Sequence, residues 1–435
     1  MIFNDFCGKK ISRLGFGCMR FPKTYEETKE CIDTAMAAGV NYYDTAYVYN
    51  NSEVTLSKCL EGYERSSYYL TSKLPVFRCE TKEDVKKYFE ESCERLQTNY
   101  IDFYLLHALN ADSVAKIKEL GIIDEMKKYI AEGRIKHLGF SIHAPKEVLL
   151  DALELYDFDF VQIQLNYLDM IHEPGYEGYE ILTERNIPVV IMEPVKGGML
   201  ANVPAPLNAP FTNYNPNYSN ASYCFRFLMQ FPNIKIILSG MSSLEQVKDN
   251  LNTFDKEEVF TKEMADAIEE VKNNILKIKK VDCTGCRYCM PCPFGVDIPG
   301  NFAVLNKRTM GEVLNNSWYK QTKYPENATA DKCKECGACM KHCPQGINIP
   351  QMLKETLKGY LLCFVKVSNE TLEDNFIQFL KSQEDFFKIS SDYFTFICDD
   401  CNNKLPYISE RKCVKCGGEV GGDGKVCIEC ADCLG

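Results

Sequence analysis

Residues 42–53 read YYDTAYVYNNSE. The segment from Tyr42 to Ala46 has the look of a short buried strand that follows an amphipathic helix, which places a carboxylate, Asp44, at the strand's end. A phenol, Tyr49, then falls in the loop beyond it. Ionisable side chains delivered to a strand's carboxyl end and its following loop are what the catalytic rim of a β/α barrel is made of.

Working outward, the chain from Ile11 to about Leu251 alternates short β-branched or aromatic runs with helical patterns of ten or more residues, the pattern of repeated βα units. Eight runs are legible: 14–19 (LGFGCM), 42–46 (YYDTA), 68–74 (YYLTSKL), 101–107 (IDFYLLH), 137–143 (HLGFSIH), 160–166 (FVQIQLN), 188–194 (PVVIMEP) and 234–240 (IKIILSG). Eight such units predict a parallel (β/α)8 TIM barrel, which would gather the residues at the run ends: Asp44, Lys73, His107, Ser141, His143, Asn166, Glu193 and Ser239. Taken singly, a strand-end lysine is most often solvated and a lone histidine is most often a half-buried ring with its hydrogen bonds met. Taken together, Tyr49, Lys73, Asp44 and His107 form a coherent acid. A lysine beside a phenol favours the phenolate and lowers its pKa, an aspartate holds the lysine, and a histidine orients a carbonyl. That set suits proton donation during hydride transfer.

Composition narrows the function further. At 435 residues, 45% hydrophobic and 26% charged, the chain has the balance of a folded protein with one large domain and appendages. A net charge of −11 without a basic run argues against a nucleic-acid partner. The opening MIFNDFCGKKIS lacks signal-peptide order and no apolar run approaches ~18 residues, so a cytoplasmic protein without a membrane partner is expected.

Cysteine marks a boundary: of 23, seven are scattered through the first 280 residues and sixteen are crowded after them. Residues 283–293 read CTGCRYCMPCP and residues 333–344 read CKECGACMKHCP, two CxxCxxC runs each followed by a fourth Cys and Pro. Two-residue gaps let three thiolates wrap one cubane, and the trailing Cys-Pro turns toward the other cluster. One [4Fe-4S] cluster is thereby assigned to Cys283, Cys286, Cys289 and Cys343, the other to Cys333, Cys336, Cys339 and Cys292. The alternative is two closed zinc sites. The arrangement resembles a bacterial two-cluster ferredoxin with a helical insert around 302–315, and the two tails, CPFGVDIP and CPQGINIP, rhyme. Apolar residues at helical spacing over 351–394 predict a pair of packing helices. Cys398, Cys401, Cys413 and Cys416 then form two CxxC knuckles that resemble a zinc ribbon, so zinc is expected there. Cys427, Cys430 and Cys433 add a CxxCxxC run with no evident fourth ligand.

The chain from Ile11 to about Leu251 resembles an aldo/keto reductase. The resemblance rests on DTAxxYNNSE with Asp44 and Tyr49, LTSKL with Lys73 and DFYLLH with His107. It implies that Tyr49 is the general acid, Lys73 its pKa modulator held by Asp44, and His107 the group that aligns a small carbonyl or alcohol substrate. It also implies an NAD(P)H site: Ser141 and Gln162 at the carboxamide, Met192 and Glu193 where an aromatic ring usually stacks, Ser239 and Gly240 after the last strand, and Asn250 at the adenine. The family's cations for a 2′-phosphate align with Gly240 and Gln246, which favours NADH. An iron-sulfur branch of the same family pairs such a barrel with a ferredoxin module.

The expected organisation is a barrel over 1–278, a helical two-cluster ferredoxin-like domain over 279–350, a helical connector over 351–395 and a Cys-rich metal-binding tail over 396–435. Residues 196–220, with four prolines and no periodicity, read as a substrate or cofactor lid or as a disordered insertion of no function. The leading expectation is a nicotinamide-dependent oxidoreductase whose ferredoxin module serves a redox partner protein. Two alternatives are a flavin or radical enzyme fed by the clusters, and an electron-transfer or assembly subunit with a degenerate barrel.

Overall fold

The computed structural model describes residues 1–171, 174–203, 205, 207–278, 280–309, 328–356, 395–398 and 403–406. Most of the connector over 351–395, together with Cys401, Cys413, Cys416, Cys427, Cys430 and Cys433, lies outside the described residues. Contacts divide the chain into two compact units: Met1–Cys286 with Cys343–Gly346, and Arg287–His342 with the residues from Ile347 onward.

The first unit is the barrel. Eight parallel strands close on themselves: β3 (Leu14–Gly17), β4 (Tyr42–Asp44), β5 (Tyr69–Leu74), β6 (Ile101–Leu109), β7 (Ile135–Ile142), β8 (Phe160–Gln164), β9 (Val189–Met192) and β10 (Ile234–Ser239), with β10 returning to pair with β3. Each of the eight runs read from the sequence supplies one strand. Both faces of these strands are covered, which is why they read as near-continuous apolar runs and not as alternating ones.

Ahead of the barrel stands a hairpin that the sequence reading missed, β1 (Phe3–Phe6) with β2 (Lys9–Ser12). Its turn puts Cys7 and Gly8 at φ 52° and 71°, the paired positive values that a two-residue hairpin turn needs. The hairpin carries the fully buried Phe6 into the barrel's lower mouth, against Tyr42, Phe103 and Phe160 at ring-centroid distances of 6.2, 4.9 and 5.3 Å. Burying one phenylalanine in this way contributes about 1.5–3 kcal/mol. Asp44 and Lys73, expected to act together, belong to the opposite, carboxyl end, so the plug leaves that rim open.

The segment over 196–220 is not a structureless insertion. It includes a short helix (Ala209–Tyr214), and Phe211 stacks on Tyr223 at 4.0 Å and 5°. A long amphipathic helix, Lys262–Ile278, buries Met264, Ile268, Val271 and Ile275 at helical spacing.

In the second unit a helix over Ile298–Thr309 follows the first cysteine run, and residues 349–356 are helical after the second. Val296, Ile298, Phe302, Ile349 and Leu353 are buried. Asn301, with no exposed surface, donates its side-chain amide to the Asp297 and Ala328 carbonyls at 2.7 and 3.1 Å. A separate two-stranded pairing joins Thr395–Cys398 to Asn403–Pro406, with Cys398 opposite Asn403. Among the described residues no helix is long and apolar enough to cross a membrane.

Candidate active site

At the carboxyl end of the barrel, Asp44 closes β4 and Lys73 lies one residue before the end of β5. Parallel pairing sets Asp44 beside Thr71. The Lys73 ammonium donates to Asp44 Oδ1 at 2.5 Å and to the Thr45 carbonyl at 2.7 Å, and both side chains are almost wholly buried. Gln162 Nε2 donates to the other Asp44 oxygen at 3.3 Å. Lys73 Nζ stands over the Tyr49 ring, 5.1 Å from its centroid, and the same ring meets His107 edge-on at 5.6 Å. The four residues expected to act together therefore do meet, each from a different strand or loop.

Their charge states follow from burial. Desolvation raises Asp44 above its ordinary value, with the Lys73 charge and hydrogen bond pulling the other way. His107 is pushed well below its ordinary value, first by burial and then by the charges of Lys73 and His143, so it is a neutral imidazole. His143 falls to about 4, also through burial. The Tyr49 phenol is raised, first by burial and then by Asp44. Burial outweighs the lowering expected from Lys73. Burial holds Tyr49 protonated in the resting site, and the Asp44 carboxylate behind it reinforces that.

The residues expected around a nicotinamide are more constrained. Ser141 Oγ accepts from the Ala108 amide at 2.8 Å, and Gln162 already serves Asp44. Met192 packs against the barrel's interior cluster. Glu193, at φ 54°, accepts from the Gly197 amide and faces Arg20 Nη2 at 3.7 Å; burial raises its carboxyl, with Arg20 opposing. Asn250 turns inward to Ser239 Oγ at 2.8 Å. Gln246 Oε1 accepts from the Ser242 amide at 2.8 Å, and Gly240 offers no charge. Ser141 and Gln162 thus sit at neighbouring strand ends with polar atoms suited to an amide, while neither Gly240 nor Gln246 brings a cation for a 2′-phosphate.

Three features were missed by sequence reasoning. Arg20, in the turn after β3, joins Glu193. Lys196 and Asp169 form an ion pair with 0% and 1% side-chain exposure. The first cysteine run also begins within the barrel unit, close enough that the charge of Cys286 raises the Tyr49 phenol further. No signal in the sequence links residue 286 to residue 49.

Several of the cysteines expected to hold clusters lie near one another. Cys343 and Cys286 interact electrostatically with Cys283. In the second unit Cys292, Cys333 and Cys336 do so with Cys339, and these four thiols line one cavity with Phe294 and Ile298. Cys343 is thus a neighbour of Cys283 and Cys292 of Cys339, the placement that interleaved ligation would use. Among the described residues no three Cys, His, Asp or Glu side chains converge as around a single ion.

Comparison with known proteins agrees with this geometry. The aldo/keto reductase family profile matches residues 13–273. The chain belongs to the aldo/keto reductase family. A 4Fe-4S dicluster domain matches residues 282–347, so the barrel of this oxidoreductase is joined to an iron-sulfur domain. The sequence match and the compact units part differently: residues 282–286 and 343–346 belong to the dicluster domain by sequence and to the barrel unit by contacts.

Relatives include a probable aldo-keto reductase of Glycine max, 30% identical over 173 residues that span 36% of this chain and 49% of the relative. An uncharacterized oxidoreductase of Bacillus subtilis, YqkF, is 23% identical over 300 residues, 61% of this chain and 95% of its own length. Among solved structures, the holo form of the aldo-keto reductase AKR11C1 from Bacillus halodurans superimposes with a TM-score of 0.53 at 23% identity, covering 63% of this chain and 96% of that one. At that identity the likeness speaks for the fold alone.

Proposed function

We propose that the protein exchanges hydride between NAD(P)H, with NADH preferred, and a small carbonyl or alcohol, while its iron-sulfur domain exchanges electrons with a redox partner protein. The observation that carries this reading is the meeting of Asp44, Lys73, Tyr49 and His107 at the carboxyl rim of a closed barrel. Tyr49 is held protonated and so donates to the substrate oxygen. Lys73, over the ring, balances the phenolate that remains, and Asp44 fixes the lysine in place. Neutral His107, edge-on to Tyr49, aligns the carbonyl. Bound nicotinamide supplies or accepts the hydride. Ser141 and Gln162 would hold its carboxamide, Met192 and Glu193 would flank its ring, and Ser239, Gly240, Gln246 and Asn250 would line the adenosine end.

Two [4Fe-4S] clusters would be held by Cys283, Cys286, Cys289 and Cys343 and by Cys333, Cys336, Cys339 and Cys292. A zinc ion would be held by Cys398, Cys401, Cys413 and Cys416. Replacing Tyr49 by Phe removes the proton donor and should lower kcat on a panel of small aldehydes and ketones by about 10²–10⁴. Wild-type turnover in that variant would refute the reading.

A second reading, a barrel fed by the clusters in place of a nicotinamide, is favoured by one observation. The Thr284 carbonyl accepts from Arg20 at 3.4 Å and stands where any side chain at Gly197 would be, beside the expected ring site at Glu193. Anaerobic titration separates the two, since quenching of NADH fluorescence on binding belongs to the first alone.

A further inference from the structure

One buried ammonium reaches both arms of the loop that carries the first set of cysteines. Lys196, just beyond β9, has a side chain with no exposed surface, and its Nζ donates to Asp169 Oδ1 and Oδ2 at 2.6 and 2.5 Å. The same nitrogen lies 3.7 Å from Asp282, the residue before Cys283. It also reaches Gln345 Oε1, two residues after Cys343, at 3.5 Å. Gln345 is held a second time, its amide donating to Gln164 Oε1 of β8 at 3.2 Å. Asp169 is fixed in turn by Gln164 and Asn166, each donating to it at 2.9 Å.

The fit continues at the next residue. Gly197 has φ 64°, and a Cβ there would stand 2.0 Å from the Thr284 carbonyl oxygen, so the loop backbone occupies space that only glycine leaves open. All of these residues belong to the first unit.

A buried ion pair contributes little net stability once its desolvation is counted, so the reason to keep one is more often the geometry it fixes. Here that geometry is the loop's. Arg20, which faces Glu193 at 3.7 Å, donates to the Thr284 carbonyl at 3.4 Å, so the loop also meets the rim beyond β9 through a second cation.

We propose that Lys196 is a positioning residue for the first iron-sulfur cluster, tying residues 282–284 and 343–346 to the barrel rim between β8 and β9. The inference rests on the cluster assignment in the proposed function. It ties the cluster to the barrel, and the charge balance around Lys196 then sets its potential.

The test uses the full-length chain purified anaerobically, with iron and sulfide measured first and an EPR-monitored redox titration second. Lys196→Met leaves the Asp169 and Asp282 carboxylates without their ammonium, so one of the two cluster signals should move to lower potential while the other keeps its value. Gly197→Ala keeps every charge but displaces the Thr284 backbone, and should change the line shape and potential of that same signal. The second variant decides the matter if the first does not fold. Wild-type potentials and line shapes for both signals in a folded, iron-replete variant would overturn the proposal. A wild-type chain without iron and sulfide would instead overturn the cluster assignment beneath it.

Discussion

Removing the ammonium of the Lys73–Asp44 pair should expose how much of the barrel's stability is committed to its chemistry. The two side chains are 1% and 6% exposed and the contact is 2.5 Å, so Lys73→Met strands a carboxylate in a site with almost no water. Breaking one side of such a pair costs about 3–5 kcal/mol, because the remaining charge loses its partner without regaining solvent. The Thr45 carbonyl also loses its donor, worth a further ~1 kcal/mol.

Replacing both residues, Lys73→Met with Asp44→Leu, removes the stranded charge. It should recover most of the loss, short of the two hydrogen bonds given up at the Thr45 carbonyl and at Gln162. The deficit should also depend on pH. Burial raises the folded Asp44 carboxyl above its ordinary 3.8, so the native state binds its proton more tightly than the unfolded chain does, and stability falls as pH rises through the folded value. Without Lys73 that value climbs higher, so the variant's deficit should grow from acid toward neutral pH. Urea unfolding followed by far-ultraviolet circular dichroism at pH 5 and pH 8 measures both effects. A single variant within about 1 kcal/mol of wild type at pH 8, or a double variant no more stable than the single, would refute the reasoning.

Other consequences are as direct. His107 and His143 titrate below the ordinary 6.5, so the unfolded chain takes up protons that the native barrel does not, and stability should be lost as pH falls below 6.5. His143→Asn should flatten the fall of Tm between pH 6.5 and 5. Gly240 has open space around it, since a Cβ there would come no closer than 3.8 Å to the Gly17 carbonyl oxygen, so Gly240→Arg should fit. It should tighten NADPH against NADH by about tenfold, the worth of one charge-assisted hydrogen bond, read from dissociation constants. Cys292→Ser removes the crossed ligand from the cavity it shares with Cys333, Cys336 and Cys339, and should lower iron from about eight to about four per chain by metal analysis.

Strand residues were legible because a parallel strand covered on both faces reads as an apolar run, and each of the eight was bounded by turn or helix signals. The hairpin over 3–12 was not, although Cys7-Gly8 is a turn signal, because the strands on either side are only four residues long and half polar. The tetrad was legible as a set of motifs, yet the direction of Tyr49's shift was not. Proximity to a lysine suggested a lowered phenol, and burial beside Asp44 outweighs it.

The barrel, the four residues at its rim and the cysteine runs are all written in local order: what alternates, what ends a strand, what recurs at two-residue gaps. Long-range packing alone buries Lys196 against Asp169, brings Gln345 to Gln164 and carries Cys286 near Tyr49. These pairs are separated by 27, 181 and 237 positions along the chain, and no periodicity carries information over such distances. Their meeting follows from closure of the barrel, which brings strand ends distant in sequence to one rim, and from a loop whose backbone fits against Gly197.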